Sequence, residues 1–126
     1  MSKITEVKTH PVVAPLKQTL WTAHEELKDC NAILVEVRTD DGITGVGQIH
    51  GSPQKAICDW VARLADIIRG MEATANVAVW EKMFSFTSPR PDGMGGPDGQ
   101  PAPFQRSARA QVMAAIAGID IALWDI

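Results

Sequence analysis

The sequence predicts an α+β domain, a three-stranded antiparallel meander followed by a helical bundle. Three observations predict it. Residues 31–51 read NAILVEVRTDDGITGVGQIHG, two strand-like runs joined at Asp41-Gly42, where glycine supplies the positive φ of a tight hairpin. Ile57, Trp60, Val61, Leu64 and Ile68 fall at i, i+3, i+4, i+7 and i+11, the stripe of an amphipathic helix. Residues 113–126 read MAAIAGIDIALWDI, a helical run that is apolar nearly all round.

The first strand comes from the opening residues. Ile4, Glu6 and Lys8 alternate with Thr5, Val7 and Thr9 before Pro11 interrupts. Proline lacks the ladder N–H, so this strand lies at an edge or ends there. Residues 16–30, LKQTLWTAHEELKDC, carry no clean period and read as a long loop. In the second strand Ile33, Val35 and Val37 share one face, Glu36 and Arg38 the other. The third runs from Ile43 to His50, and its Gly45 and Gly47 mark a bulge or a close backbone approach.

Helices follow. Ser52-Pro53 offers an N-cap hydroxyl and a proline for the first helical position. Arg69 near the negative helix end and Gly70 beyond it form the stop signal. A shorter helix starts near Asn76 and is expected to bury Val77, Trp80, Met83 and Phe84. Residues 88–104, SPRPDGMGGPDGQPAPF, hold five prolines and four glycines, which excludes regular structure. The last helix starts near Ser107. Val112, Ile116, Ile119, Leu123 and Ile126 make one stripe, and Met113, Ala117, Ile121 and Trp124 cover much of the remaining circumference. The preceding domain covers one face, so a second partner is needed for the other.

The 126 residues make one ordinary domain. A net charge of −3 and the lack of any Lys/Arg run argue against a nucleic-acid partner. The opening residues lack the apolar core of a signal peptide. The C-terminal run carries Asp120 and Asp125 and is short of membrane-spanning length. A cytoplasmic location with no membrane partner is therefore expected. Cys30 and Cys58, without a C-x-x-C, read as free thiols of a reducing compartment.

Few residues suggest chemistry. GMGGPDG at 93–99 has no following Lys-Ser/Thr and lies between helices, so it reads as a surface loop and not a phosphate cradle. His10, His24 and His50 make no metal-ligand spacing. Asp40-Asp41 most simply make the hairpin turn, and Ser52 fits a helix cap and no G-x-S-x-G elbow. No nucleophile–base pair can be assigned. Trp21 and His24, in the irregular segment, either tuck into the core or line a ligand pocket. His50 ends a strand beside a helix start; a structural histidine and a ligand contact both stay open.

The order of elements and several strings together resemble the N-terminal capping domain of the enolase superfamily, in the mandelate racemase/muconate-lactonizing subgroup. The strings are ITEVKTHPVVAPL, the hairpin NAILVEVRTDDGITGVGQIHG, VAVWEKMF and AAIAGIDIALWDI. One departure is Gln48, where relatives often carry Glu. The resemblance implies an enolase N-terminal-like capping domain over 1–126. Its meander would be 1–51 with a specificity loop at 16–30, its helical part 52–126 with a Pro/Gly-rich loop at 88–103. Such a domain is normally joined to a C-terminal (β/α)8 barrel, absent here, which would supply the last helix with its second partner. The implied reaction abstracts the proton α to a carboxylate, and Mg²⁺ stabilises the enediolate. Catalytic and metal-ligating groups sit on the barrel, so no catalytic or metal residue carries over. The implied partners are a carboxylate or acid-sugar substrate, the barrel, and further copies in a homo-oligomer. Trp21 and His24 in the specificity loop, and His50 in a second capping loop, become the substrate-facing candidates. The full enzyme would be an acid-sugar dehydratase, a racemase or a relative, and the chain alone inactive. The alternative is a stand-alone binding or interaction module without catalysis.

Overall fold

The computed structural model describes residues 1–87 and 108–126. The elements run in the order β1 (Ile4–Trp21), β2 (Glu26–Thr39), β3 (Thr44–Ile49), α1 (Gln54–Ile68), α2 (Asn76–Ser85) and α3 (Arg109–Asp125). The Pro/Gly-rich loop, its GMGGPDG run and the expected helix start near Ser107 fall outside the described residues. The strands form one antiparallel sheet of order β1-β2-β3. Its inner face carries Ile33, Val35, Val37 and Ile49, all buried against the helices.

The meander begins with a register slip that the alternating pattern does not reveal. Ile4 pairs with Thr39 and Glu6 with Arg38, so Thr5 is an extra residue on its side. The shift lets Ile4 bury itself while Glu6 and Lys8 stand opposite Arg38 and Glu36. Pro11 does not end the strand. β1 is an edge, as expected from the proline, and an edge strand tolerates a missing N–H.

Residues 16–30 differ more. They are not an irregular loop: β1 continues to Trp21, and β2 returns from Glu26 in a two-stranded ribbon. Ala14 faces Cys30, Pro15 faces Asp29, and after a register shift Leu20 faces Leu27 and Trp21 faces Glu26. The ribbon passes the end of β3, whose last pairing is Ile49 with Ile33. With no residue from 12 to 30 buried, it has no buried face to impose a period on its sequence.

The hairpin is where Asp41-Gly42 places it. Gly42 has φ +86°, and the Thr39 N–H donates to the Ile43 carbonyl at 3.0 Å. The Thr39 hydroxyl donates to Asp41 Oδ1 at 2.5 Å and accepts the Ile43 N–H at 3.1 Å. Ser2 donates its hydroxyl to the other Asp41 oxygen, and the Lys3 N–H reaches Asp40 Oδ1 at 2.8 Å. Ser2 and then Thr39 hold the Asp41 carboxyl below the usual aspartate range. The acidic pair thus builds a turn and fastens the N-terminus to it.

Helix α1 buries Ile57, Val61, Leu64 and Ile68, as the stripe predicts, while Trp60 is only partly covered. Its start is one residue later than the sequence suggests. Pro53 is the N-cap, with no side-chain hydrogen bond, and its carbonyl accepts the Ile57 N–H at 3.3 Å. Ser52 therefore does not cap the helix. At the other end Gly70, with φ +83°, donates its N–H to the Ile4 carbonyl at 2.8 Å. Arg63 lies 4.7 Å from the Trp60 ring centroid and 5.5 Å from that of Phe86, tying α1 to the end of α2.

On α2 the buried residues are Val79 and Met83, and Val77 is 71% exposed. Apolar side chains occur on more than one face of this helix, so stripes through Val77 and through Val79 both fit a helical period; α1 and α3 take the second. Trp80 stacks on Phe84 with centroids 4.8 Å apart.

Helix α3 lies directly on β3. A Cβ at Gly45 would stand 2.0 Å from the Ala122 carbonyl oxygen, and one at Gly47 2.1 Å from that of Gly118. The two strand glycines thus serve a close backbone approach. From the helix side, a Cβ at Gly118 would stand 2.2 Å from Ile49 Cγ1. Asp125 Oδ2 accepts the Val46 N–H at 2.8 Å, occupying an edge donor of β3. Val112, Ile116, Ile119 and Leu123 are buried on this side, whereas Ala117, Ile121 and Trp124 are exposed on the other. Gly47→Ala pushes a methyl group into main chain that cannot yield, and a cost of about 1–3 kcal/mol or more is expected. Chemical denaturation of Gly47→Ala beside Gly47→Ser, both expected to be destabilised, measures this; an unchanged midpoint in either would contradict the packing.

Candidate functional site

Where the ribbon leaves the sheet, a cleft of about 390 Å³ opens between it and the link from β3 to α1. One wall carries Leu16, Leu20 and Leu27 with Glu25, Asp29, Cys30 and Asn31, and the other is His50, Gly51 and Ser52. The ribbon wall exists because register brings distant residues together: Leu20 and Leu27 are cross-strand partners. The second wall turns at Gly51, whose φ of +138° suits glycine and whose Cβ would stand 3.1 Å from Ile57 Cδ1.

The sequence candidates fare differently. His50 is exposed and lines the cleft. Trp21 ends β1 opposite Glu26 and is 74% exposed, outside the core and outside the cleft lining. His24 sits in the turn between β1 and β2, where the Thr22 hydroxyl accepts its N–H at 3.2 Å; it too is not in the lining. The structure therefore does not gather the three into one constellation. Leu16, Leu27, Asp29 and Asn31 carry no signal in the sequence, because strand register and not spacing brings them there.

The lining is rich in acceptors. Glu25 and Asp29 contribute carboxylates, and among the described residues no lysine or arginine lines the cleft. Asn31 Oδ1 is buried and has no hydrogen-bond partner among the described residues. Such an acceptor is costly to leave unmet. Cys30 and Cys58 are free thiols, as their spacing suggests. Among the described residues no group of three or more His, Cys, Asp or Glu side chains could hold a metal ion. The donors among these residues do not fit a magnesium site. No helix among the described residues is long and apolar enough to cross a membrane.

A second polar cluster lies on the outer sheet face. His10 Nε2 is 3.1 Å from Glu36 Oε2, Arg38 Nε donates to Glu36 Oε1 at 2.6 Å, and Arg38 also reaches Glu6 at 3.5 Å. Arg38 and, after it, His10 hold the Glu36 carboxyl below the usual glutamate range. These groups satisfy one another across β1 and β2 and stand away from the cleft lining.

The family model for the mandelate racemase/muconate lactonizing enzyme N-terminal domain matches residues 3–126. The chain belongs to this family. Among solved structures it is similar to a member of the enolase superfamily from Polaromonas sp. JS666, with 29% identity and a TM-score of 0.75, over 97% of this chain and 29% of that one. An enolase from Streptomyces coelicolor shares 28% identity at a TM-score of 0.72, over 98% of this chain and 28% of that one. The chain thus spans under a third of the length of either structure. A dipeptide epimerase from Enterococcus faecalis V583, solved with Mg and the dipeptide L-Leu-L-Tyr, shares the fold at 19% identity and a TM-score of 0.59. That match covers 63% of this chain and 24% of the epimerase. No curated relative matches the chain. The three-stranded sheet followed by helices is the N-terminal architecture of this superfamily, as the sequence resemblance implies.

The electrostatics of the outer face can be checked directly. Because the folded carboxyl of Glu36 is held low, the stability it contributes is present at neutral pH and lost as pH falls through the carboxylate range. In an NMR titration Glu36 is expected to lose its charge at lower pH than an ordinary glutamate. Arg38→Ala should raise that midpoint, and His10→Ala should raise it less. The reverse order would overturn the assignment of Arg38 as the principal partner.

Proposed function

We propose that this chain is the capping and specificity domain of an enzyme that abstracts the proton α to a substrate carboxylate. Racemisation, epimerisation and the dehydration of an acid sugar all begin with that step. The observation that carries the reading is the family match over residues 3–126, joined to a cleft where the ribbon faces His50, Gly51 and Ser52. In this reading Mg²⁺ and the acid–base groups belong to a barrel domain, and the metal there supplies charge stabilisation to the enediolate. The bare stripe of Ala117, Ile121 and Trp124 is then the face that the barrel covers. A stand-alone module leaves this stripe in water, which disfavours that alternative.

The cap's own residues bind and exclude. Leu16, Leu20 and Leu27 displace water from the far end of the substrate, which strengthens electrostatic interactions at the reacting end. His50 and Ser52 offer hydrogen bonds from the opposite wall. Glu25, Asp29 and the unmet oxygen of Asn31 are acceptors, so the distal group of the substrate is uncharged or bears donors. A second carboxylate or a phosphate at that end would be repelled. Trp21 and His24, near the ribbon tip, act as a rim that meets the substrate or the barrel on closure.

Two measurements test the reading. The coding sequence past codon 126 is expected to continue into a barrel with catalytic lysines and spaced acidic ligands. The 126-residue chain with Mg²⁺ in D₂O should place no deuterium α to the carboxylate of any acid in a panel of sugar acids, amino acids and dipeptides. Deuterium incorporation by the chain alone would put the chemistry on the cap and overturn the proposal.

A further inference from the structure

We propose that Gln54 sets the width of the cleft by pinning the free-standing ribbon to the first turn of α1. Its side-chain Nε2 donates to the Val12 carbonyl and to the Ala32 carbonyl, each at 3.1 Å. Those two residues are cross-strand partners, one on β1 and one on β2. The position along the sheet matters. Ile33 is the last residue of β2 that pairs with β3, so Val12 and Ala32 form the first rung at which the ribbon has lost its third strand. Beyond that rung, among the described residues, β1 and β2 pair only with each other, and two strands alone are marginally stable in water. Gln54 takes up both carbonyls at the point where the third strand is lost.

Its place in the chain links the two walls. Ser52, on the far wall of the cleft, is two residues before it, and α1 begins with Gln54 itself. The amide therefore joins the root of one wall to the root of the other across the base of the cleft. With the amide in place, Leu20 and Leu27 stand at a fixed distance from His50. Without it the ribbon can swing about residues 12 and 32 and the opening changes. Gln54 is a positioning residue, for it acts on the cleft through two backbone carbonyls and is not in the lining. A primary amide suits the task because one nitrogen carries two donors. The pinning is a matter of this chain's geometry; its consequence for substrate choice rests on the capping function proposed above.

Amide hydrogen exchange on the 126-residue chain tests the pinning without any substrate. Gln54→Met keeps the length and volume of the side chain and removes both donors. Gln54→Glu replaces them with a carboxylate that repels the two carbonyls. Protection in the ribbon, residues 12–15 and 27–32, is expected to fall about ten- to thirtyfold in Gln54→Met, the factor two ordinary hydrogen bonds supply. It should fall further in Gln54→Glu. Protection at Val35, Val37, Val61 and Leu64 should stay as in the parent chain. Unchanged ribbon protection in both variants would overturn the proposal, and so would an equal loss in ribbon and core. Because no turnover is read, this result is independent of whether the chain caps an enzyme.

Discussion

The backbone of α3 rests on the backbone of β3 because Gly45, Gly47 and Gly118 carry no side chain where the two elements meet. Any Cβ there would fall within about a bond length or two of a carbonyl oxygen or an isoleucine methylene. At Gly45 and Gly47 the nearest neighbour is main chain, the carbonyls of Ala122 and Gly118, which cannot yield as a side chain could, so the helix is fixed closely on the sheet. The remaining core follows from it. With α3 placed, Val112, Ile116 and Ile119 present the surface on which α1 and α2 complete the cluster. Asp125 adds a charge-assisted bond to the Val46 N–H, between the two strand glycines.

The cleft inherits that placement. β3 stops at Ile49 and the chain turns through His50, Gly51 and Ser52 into α1, so one wall is rigid by connection to the core. The other wall is a ribbon whose length exceeds its support. One wall is thus continuous with the core, and the other is tied to it at its root by the Gln54 amide. The carboxylates of the lining, Glu25 and Asp29, both belong to the ribbon side, the side that would discriminate between ligands under the proposed function.

Legibility in the sequence follows burial. Ile33, Val35 and Val37, and the stripe from Ile57 to Ile68, alternate or recur because one side of each element is dry, and both were readable. Asp41-Gly42 was readable because the turn demands a positive φ. The ribbon was not: both its faces meet solvent, so nothing compels Leu16, Thr19, Leu27 or Asp29 into a period. The bulge at Thr5 and the choice of Val79 over Val77 were hidden for a related reason, since each depends on what a neighbouring element offers. Of the site, His50 was visible at the end of its strand. Leu27 and Asn31 were not, because their relation to His50 exists only after pairing.

The exposed ribbon also bears on how such a domain diversifies. Its side chains from Val12 to Asn31 contribute little to the core, which is built from β2's inner face, Ile4, Ile49 and the helices. Mutations there draw little on the stability margin that limits most substitutions. Substitutions can therefore accumulate in the ribbon one residue at a time, while the glycine contact between α3 and β3 holds the fold constant. Under the proposed function, selection for specificity and selection for folding would act on separate sets of positions in the same 126 residues.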